Sequence, residues 1–355
     1  MGYKIDFAPY RLIFRQPAKT SRATMLDKET YFIRFYDSGC PNIFGLGECA
    51  LFRGLSEEDT PDYTKHLSSL INAINNNEIP PDVAAANAVS SIRFGLETAI
   101  ADLHNGGRRQ PFPSVWSKGE SEITINGLVW MGTAHQMHQR ITEKINAGFK
   151  CIKLKIGGID FTQELELLHY IRSSFSDDLL EIRLDANGAF KPENALNRLE
   201  ALSAFGIHSI EQPIRQGQPT AMARICHNSP IPIALDEELI GIHSDTEKRE
   251  ILETIRPAYI ILKPSLCGGF NEADKWISTA SSLNIGWWAT SALESDIGLN
   301  AIAQWTSLHN PRLPQGLGTG TLYSNNFISP LEQTGQAIRY NPLRKWMIPQ
   351  LNWTV

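Results

Sequence analysis

The sequence predicts an α/β fold: a parallel (β/α)8 barrel of the TIM type that follows a smaller α+β module. One observation behind this prediction is a change of rhythm, because strand and helix patterns begin to alternate at residue 123. The other is a period in the charges. Apolar runs end at Lys155, Asp185, Glu211, Asp236 and Lys263, which are 30, 26, 25 and 27 residues apart. One β/α unit takes about 25 to 30 residues, so one such charge falls in each unit.

The first module is expected to cover residues 1–120 as an α+β unit. Alternating polarity and aromatic or β-branched side chains predict strands within the first 55 residues, as in Tyr3 to Phe14 and Tyr31 to Tyr36. The polar stretch from Gln16 to Thr24 predicts a mobile loop between them. Apolar residues three and four apart then predict two helices: Asp62 to Asn75 and Val83 to Leu103.

The barrel is expected to cover residues 121–319. Eight short apolar runs predict its strands: Ile123 to Val129, Cys151 to Lys155, Glu181 to Asp185, His208 to Glu211, Pro232 to Asp236, Ala258 to Lys263, Ile285 to Thr290 and Pro314 to Leu317. Amphipathic segments between them predict helices, for example His135 to Ala147 and Glu272 to Leu283. The tail, residues 320–355, shows no further unit and is expected to return to the first module.

Composition excludes several classes of protein. A net charge of −5 and a pI near 6.0 give no basic field for nucleic acid or an anionic membrane, so neither is an expected partner. No apolar run approaches the length of a membrane span, and the N-terminus lacks the apolar core of a signal peptide. Five scattered cysteines without a Cys-x-x-Cys pair fit no zinc pattern and are expected to be reduced. These features predict a cytoplasmic protein.

Two lysines mark the end of the second predicted barrel strand. Because side chains alternate faces along a strand, Lys153 and Lys155 point the same way. Two ammonium groups on one face repel each other unless anions lie opposite them. Active sites of barrels lie at the rim where the strands end, so Asp185, Glu211 and Asp236 are expected to meet both lysines there.

These residue types favour proton abstraction next to a carboxylate. Three carboxylates without a neighbouring His or Cys are ligands for Mg²⁺, with Mn²⁺ as the alternative. A dication beside a substrate carboxylate makes the α-proton more acidic, because deprotonation moves charge onto the carboxylate oxygens. A lysine serves as the base when a neighbouring ammonium or a dication lowers its pKa. Lys155 is the candidate base with Lys153 as its neighbour, and Lys263 is expected to face the substrate from the other side.

Together these residues resemble the enolase superfamily, and within it the muconate-lactonising branch. The resemblance lies in five short motifs: Lys153-x-Lys155, Asp185-Ala-Asn187, Glu211-Gln-Pro213, Asp236-Glu237 and Lys263-Pro264. It implies a modified (β/α)8-type TIM barrel with an α+β capping domain built from the N-terminus and the C-terminal tail. It also implies Mg²⁺ on the three acids and a small-molecule carboxylate as the partner; it leaves the oligomeric state open. A lysine base with Mg²⁺ beside an ene-diolate is the established chemistry of this superfamily.

A closer resemblance, to a group of dehydrating enzymes in this branch, lies in five stretches: Asp6 to Arg11, Gly45 to Ser56, Ile125 to Leu128, Lys263 to Gly269 and Ser291 to Ser295. It implies loss of water from a cyclohexadiene carboxylate, with Lys155 as base and then acid and Lys263 stabilising the intermediate. It also implies candidate substrate contacts, which are Ser291, Ala292, Gly316, Arg53 and Asn187, and a closing role for the loop from Lys19 to Arg22.

Other functions remain open at this point. An N-succinylamino-acid racemase would use the same metal and move one proton between Lys155 and Lys263. A dipeptide epimerase usually carries an Asp-x-Asp pair after the last strand, where this chain has Gly318-Thr-Gly320. A non-catalytic metal-binding barrel is disfavoured because buried ammonium groups are costly to keep. A metal-dependent hydrolase is disfavoured because no His ends a strand.

Overall fold

An antiparallel sheet forms the N-terminal part of the computed structural model, which describes residues 2–19 and 24–354. Its strands pair in the order β1 (Tyr3–Lys19), β2 (Thr24–Asp37) and β3 (Phe44–Cys49). Three helices follow: α1 (Tyr63–Asn75), α2 (Pro81–Asn87) and α3 (Ser90–His104). Helix α3 lies very close to β3, because a Cβ on Gly45 would lie 1.8 Å from the Ala99 carbonyl oxygen. Glycine is therefore required in β3 for the helix to reach the sheet.

Two local predictions for this part were wrong. The single helix expected over Val83 to Leu103 is divided, since Ala88 and Val89 have extended backbone with ψ of 157° and 160°. The break is stabilised from outside the helix, because the Glu58 carboxylate accepts from the Ser91 N–H at 2.8 Å, one of the first donors of α3. The polar stretch expected to be a loop belongs to β1 up to Lys19, and residues 20–23 lie outside the described part.

The central sheet has seven parallel strands in chain order, which confirms the predicted α/β barrel class. They are β5 (Gly127–Val129), β6 (Cys151–Lys155), β7 (Glu181–Asp185), β8 (Ser209–Glu211), β9 (Ile233–Leu235), β10 (Tyr259–Leu262) and β11 (Gly286–Ala289). Their register pairs Lys155 with Asp185 and Asp185 with Glu211, so these three residues stand at the same level of the barrel.

The eighth predicted strand, Pro314 to Leu317, forms two isolated bridges instead of a strand. Gln315 bridges to Ile125 and Gly316 bridges to Thr290, both in parallel. The segment thus contacts both edges of the seven-stranded sheet and connects them. The first predicted strand is also divided, because residues 122–124 form β4 (Glu122–Thr124) in another sheet and only β5 joins the barrel.

Helices cover the outside of the barrel and pack their apolar faces on the strands. They are α4 (Ala134–Asn146), α5 (Phe161–Ser174), α6 (Ala195–Ser203), α7 (Pro219–Asn228), α8 (Asp245–Ile255), α9 (Gly269–Ser282) and α10 (Asp296–Leu308). Short 3-10 turns occur at Glu237–Leu239 and Gly320–Leu322. Among the described residues, no helix combines the length and apolar character that crossing a membrane requires.

The C-terminal segment contacts both parts of the chain. Strands β12 (Leu331–Thr334) and β13 (Ala337–Tyr340) form a hairpin that adds to β4. Further on, Phe7 of β1 and Thr354 exchange two backbone hydrogen bonds of 2.7 and 2.8 Å. The end of the chain therefore lies against the N-terminal sheet, while the hairpin lies against the segment that leads into the barrel. The division of the chain at residues 120 and 320 stays a prediction.

Candidate active site

Three buried carboxylates meet at the carboxyl ends of β7, β8 and β9. Asp185, Glu211 and Asp236 are at most 3% exposed, and each offers an oxygen within 4.8 Å of the others. Asp185 and Glu211 end their strands, and Asp236 follows β9 directly. A group of three carboxylates and no softer donor is the kind of site that hard divalent cations prefer.

One oxygen of this group supports a cation site. Glu211 Oε1 is buried and, within residues 2–19 and 24–354, has no hydrogen-bond partner. A buried carboxylate oxygen without a partner is costly, and a metal ion would satisfy it. Burial, together with Asp185 and Asp236, raises the pKa of Glu211 to about 7 against the lowering effect of Lys153. Burial also acts to raise the pKa of Asp185, but three lysines outweigh it, and the pKa lies well below its usual value.

Three lysines pair with these acids. Lys153 Nζ lies 2.5 Å from Glu211 Oε2 and 3.0 Å from Asp185 Oδ2. Lys155 Nζ donates to Asp185 Oδ2 at 2.8 Å, and Lys263 Nζ lies 2.5 Å from Asp236 Oδ2. Burial lowers the pKa of Lys153, but the surrounding carboxylates raise it by more. The five charges that recur along the sequence, with Lys153, thus form one cluster at the rim.

A cavity of about 250 Å³ opens beside this cluster. Its wall includes every candidate from the sequence except the three acids: Lys153, Lys155, Lys263, Arg53, Asn187, Ser291, Ala292 and Gly316. Arg53 already has protein partners in this wall, because it pairs with Glu29 at 2.9 Å and with Asp59 at 2.7 Å. Of the loop from Lys19 to Arg22, residues 20–22 lie outside the described residues.

Three residues at this site received no role from the sequence, although Gln212 and Glu237 stand in two of the motifs quoted above. Trp130 lines the cavity, and its ring centroid lies 5.8 Å from Lys155 Nζ, within reach of a cation–π contact. Its position in the sequence could have indicated this, because Trp130 is the first residue after β5 and therefore lies at the rim. Glu237, which also lines the cavity, accepts from Asn187 Nδ2 at 3.0 Å. Gln212 accepts from the Asp236 N–H at 3.1 Å and so fixes the start of the turn after β9; nothing in the sequence indicated this contact.

The fold and the site define a class of enzyme. A family model described as "Enolase C-terminal domain-like" matches residues 136–331, more than half of the chain, so the chain belongs to the enolase superfamily. At a finer level it belongs to the o-succinylbenzoate synthase family. It is 45% identical to the o-succinylbenzoate synthase of Desulfotalea psychrophila over 94% of this chain and 98% of that protein.

Two further comparisons set the limits of this similarity. The crystal structure of MenC from Desulfotalea psychrophila superposes with a TM-score of 0.85 at 42% identity and covers 96% of this chain and 100% of that one. The N-succinylamino acid racemase of Amycolatopsis is more distant, at 25% identity over 84% of this chain and 81% of that protein. The chain is therefore an enolase-superfamily enzyme that is more similar to a synthase than to this racemase.

Proposed function

We propose that this enzyme is an o-succinylbenzoate synthase, which removes water from 2-succinyl-6-hydroxy-2,4-cyclohexadiene-1-carboxylate in menaquinone biosynthesis. The observation that carries the proposal is that Lys155 and Lys263 line one cavity beside three buried acids. Such a cavity suits proton abstraction next to a carboxylate. The near full-length similarity to a synthase supports this reaction over others of the superfamily.

We propose that Asp185, Glu211 and Asp236 hold Mg²⁺, or Mn²⁺ in its place. The all-oxygen donor set supports this choice, as does Glu211 Oε1, which has no hydrogen-bond partner in the described part of the chain. When bound, the ion supplies positive charge beside the ring carboxylate of the substrate, which makes its α-proton more acidic. Lys153, which contacts two of the acids, would keep their charge balanced.

In the proposed reaction, Lys155 acts first as a base and then as an acid. Its neutral amine takes the proton from the ring carbon that bears the carboxylate, and the C–H electron pair moves into an enediolate. The C–O bond of the neighbouring carbon then breaks, and the departing hydroxide takes the proton from Lys155 and leaves as water. The ring becomes aromatic. Asn187 Oδ1 accepts from Lys155 at 2.8 Å and would hold the amine in place for both transfers.

The other groups would bind and stabilise the substrate. An ammonium group at Lys263 would stabilise the ring as it gains electron density, and Trp130 would limit the space around Lys155. We assign Ser291, Ala292 and Gly316 to the succinyl end of the substrate, because small residues allow close approach of the backbone. Arg53 is a candidate for that carboxylate after it releases Glu29 or Asp59.

An assay with two substrates tests the proposal. The purified enzyme with Mg²⁺ should convert the cyclohexadiene substrate to the aromatic product, which is followed by ultraviolet absorbance. N-succinyl amino acids in deuterated water provide the competing test, since a racemase would exchange their α-proton. Rapid exchange without dehydration would overturn the synthase proposal and favour the racemase.

A further inference from the structure

A buried polar network joins the N-terminal sheet to the wall of the cavity. Lys28 on β2 and Glu48 on β3 come from the sheet, and Glu294 follows β11 in the barrel; all three are at most 6% exposed. Lys28 Nζ is buried and makes no hydrogen bond among the described residues. The carboxylates of Glu48 and Glu294 act on it electrostatically. These charges lie outside the cavity lining and have no part in the proposed chemistry.

Glu294 holds two serine hydroxyls. It accepts from Ser265 Oγ at 2.5 Å and from Ser291 Oγ at 2.6 Å. Burial raises the pKa of the Glu294 carboxyl group, and the positive charge of Lys28 opposes that shift. Because the single proton of the Ser291 hydroxyl points to Glu294, its lone pairs face the backbone, where they accept from the Leu293 N–H at 2.9 Å. The Ser291 hydroxyl therefore shapes its own turn and is not a free donor for a ligand.

This turn is strained. Leu293 has a φ of +64°, a left-handed conformation that a bulky residue rarely adopts and that costs on the order of 1 to 3 kcal/mol. Its N–H is held by Ser291, and its carbonyl oxygen accepts from the Tyr323 hydroxyl at 2.7 Å. Leu293 and its two predecessors line the cavity. The strained conformation of the wall thus depends on partners behind it.

We propose that Glu294 and Lys28 are positioning residues that hold the wall of residues 291–293 in its binding conformation. Glu294 orients the Ser291 hydroxyl, and Lys28 supplies the positive charge that keeps this buried acid an acceptor. Since Lys28 comes from the N-terminal sheet, the packing of that sheet on the barrel helps to hold this wall of the cavity in place. The inference rests on the proposed function where it predicts substrate affinity, but not where it predicts the order of the turn.

The test compares one substitution at two buried acids. Glu294→Gln keeps the size of the side chain but removes the second acceptor oxygen, so one serine loses its partner. Glu272→Gln is the matched control, because Glu272 pairs with Arg93 of α3 across another contact between the sheet's helices and the barrel. Glu272 does not line the cavity.

Two measurements test the positioning role: amide exchange in the turn and the KM for the substrate. Hydrogen–deuterium exchange of the amides of residues 291–295 should be faster by about tenfold in Glu294→Gln and unchanged in Glu272→Gln, because one lost charged hydrogen bond corresponds to about a factor of ten. The KM for the cyclohexadiene substrate should rise by about tenfold with kcat within about threefold, since the wall binds the succinyl end and not the reacting carbons. Lys28→Met should give the same pattern, and adding it to Glu294→Gln should change nothing further.

The outcomes separate the two proposals. Unchanged exchange in Glu294→Gln, or the same increase in Glu272→Gln, would overturn the positioning role. If Glu294→Gln does not fold, Ser291→Ala replaces it and must show the same increase in exchange. If the unmodified enzyme lacks synthase activity, the proposed function fails, while the exchange comparison still decides whether Glu294 orders the turn.

Discussion

Substitution of Lys155 by alanine tests the central chemical proposal. The change removes the side chain of a residue that is 8% exposed, with its amine, which donates to both Asp185 and Asn187 at 2.8 Å. Loss of one general acid or base typically lowers turnover by about 10² to 10⁴. Because Lys155 is proposed for both proton transfers, we expect kcat to fall by about 10⁴ in the dehydration assay.

The same substitution should leave the metal site intact. In Lys155→Ala, Asp185 keeps Lys153 as a partner at 3.0 Å, so its charge is still compensated. One ammonium group fewer then competes for Asp185 Oδ2, and Mg²⁺ affinity should stay constant or rise by up to about tenfold. Titration calorimetry with Mg²⁺ measures this directly.

A second buried lysine provides the control. Lys248 is fully buried and donates to the His243 carbonyl at 2.7 Å and to Glu272 at 2.5 Å, away from the cavity. Lys248→Ala should lower the free energy of unfolding by about 1 to 3 kcal/mol and retain turnover. Turnover of Lys155→Ala within about tenfold of the unmodified enzyme, or equal losses in both variants, would refute the assignment of Lys155 as base.

Three further perturbations test other groups. Lys263→Ala should lower kcat by about 10² or more, because it removes charge stabilisation from the opposite face; full turnover would exclude this role. Glu211→Gln should weaken Mg²⁺ binding, measured by calorimetry, by about 100-fold or more, which is at least as much as the loss of a residue that only contacts a ligand. Unchanged affinity would show that Glu211 is not a ligand. The third concerns Glu97, which accepts from the Phe270 N–H at the start of α9 and whose pKa burial raises to about 7. A carboxyl group whose pKa is higher in the folded than in the unfolded state destabilises the protein as pH rises from about 4.5 to 7, because the unfolded state releases its proton first. The free energy of unfolding of the unmodified enzyme, relative to Glu97→Gln, should therefore fall by about 2 to 3 kcal/mol over that range. A constant difference between the two proteins in urea titrations would contradict this.

The barrel and its charged rim could be predicted because they depend on local patterns. A buried strand appears in the sequence as a short apolar run. A charged residue marks its end, because a charge is less costly at the rim of the barrel than inside it. Strands β6 and β7 therefore begin and end at the predicted residues, with Lys155 and Asp185 as their last members. The period between them places the charges on one rim whatever the helices contain.

The remaining features depend on partners that are distant in sequence. The segment around Gly316 closes the barrel through single bridges, because its neighbours Ile125 and Thr290 offer only isolated pairing positions. A Cβ on Gly316 would lie 2.3 Å from Thr290 Oγ1, so the fit is specific to glycine there. Similarly, the contact of Glu294 with Ser265 joins residues 29 apart, and no local sequence pattern predicts it. Such contacts form only when the fold brings the two residues together, so they cannot be predicted from local sequence.

The balance of charge in the cavity connects metal, base and substrate. Three ammonium groups and three carboxylates pair at distances of 2.5 to 3.0 Å, so these six groups sum to zero when all are ionised. Arg53 and Glu237, which also line the cavity, carry opposite charges and leave this sum unchanged. A divalent cation on the acids makes the sum +2, and in a buried site this excess favours both the loss of a lysine proton and the attraction of an anion. The proposed substrate carries two carboxylates, which return the sum to zero or to −1, depending on whether Lys155 holds its proton. Without the cation, these six groups would offer a dianion no net charge. In the proposed mechanism, metal loading, activation of the base and recognition of the substrate would therefore be coupled through one electrostatic balance, and each would strengthen the other two.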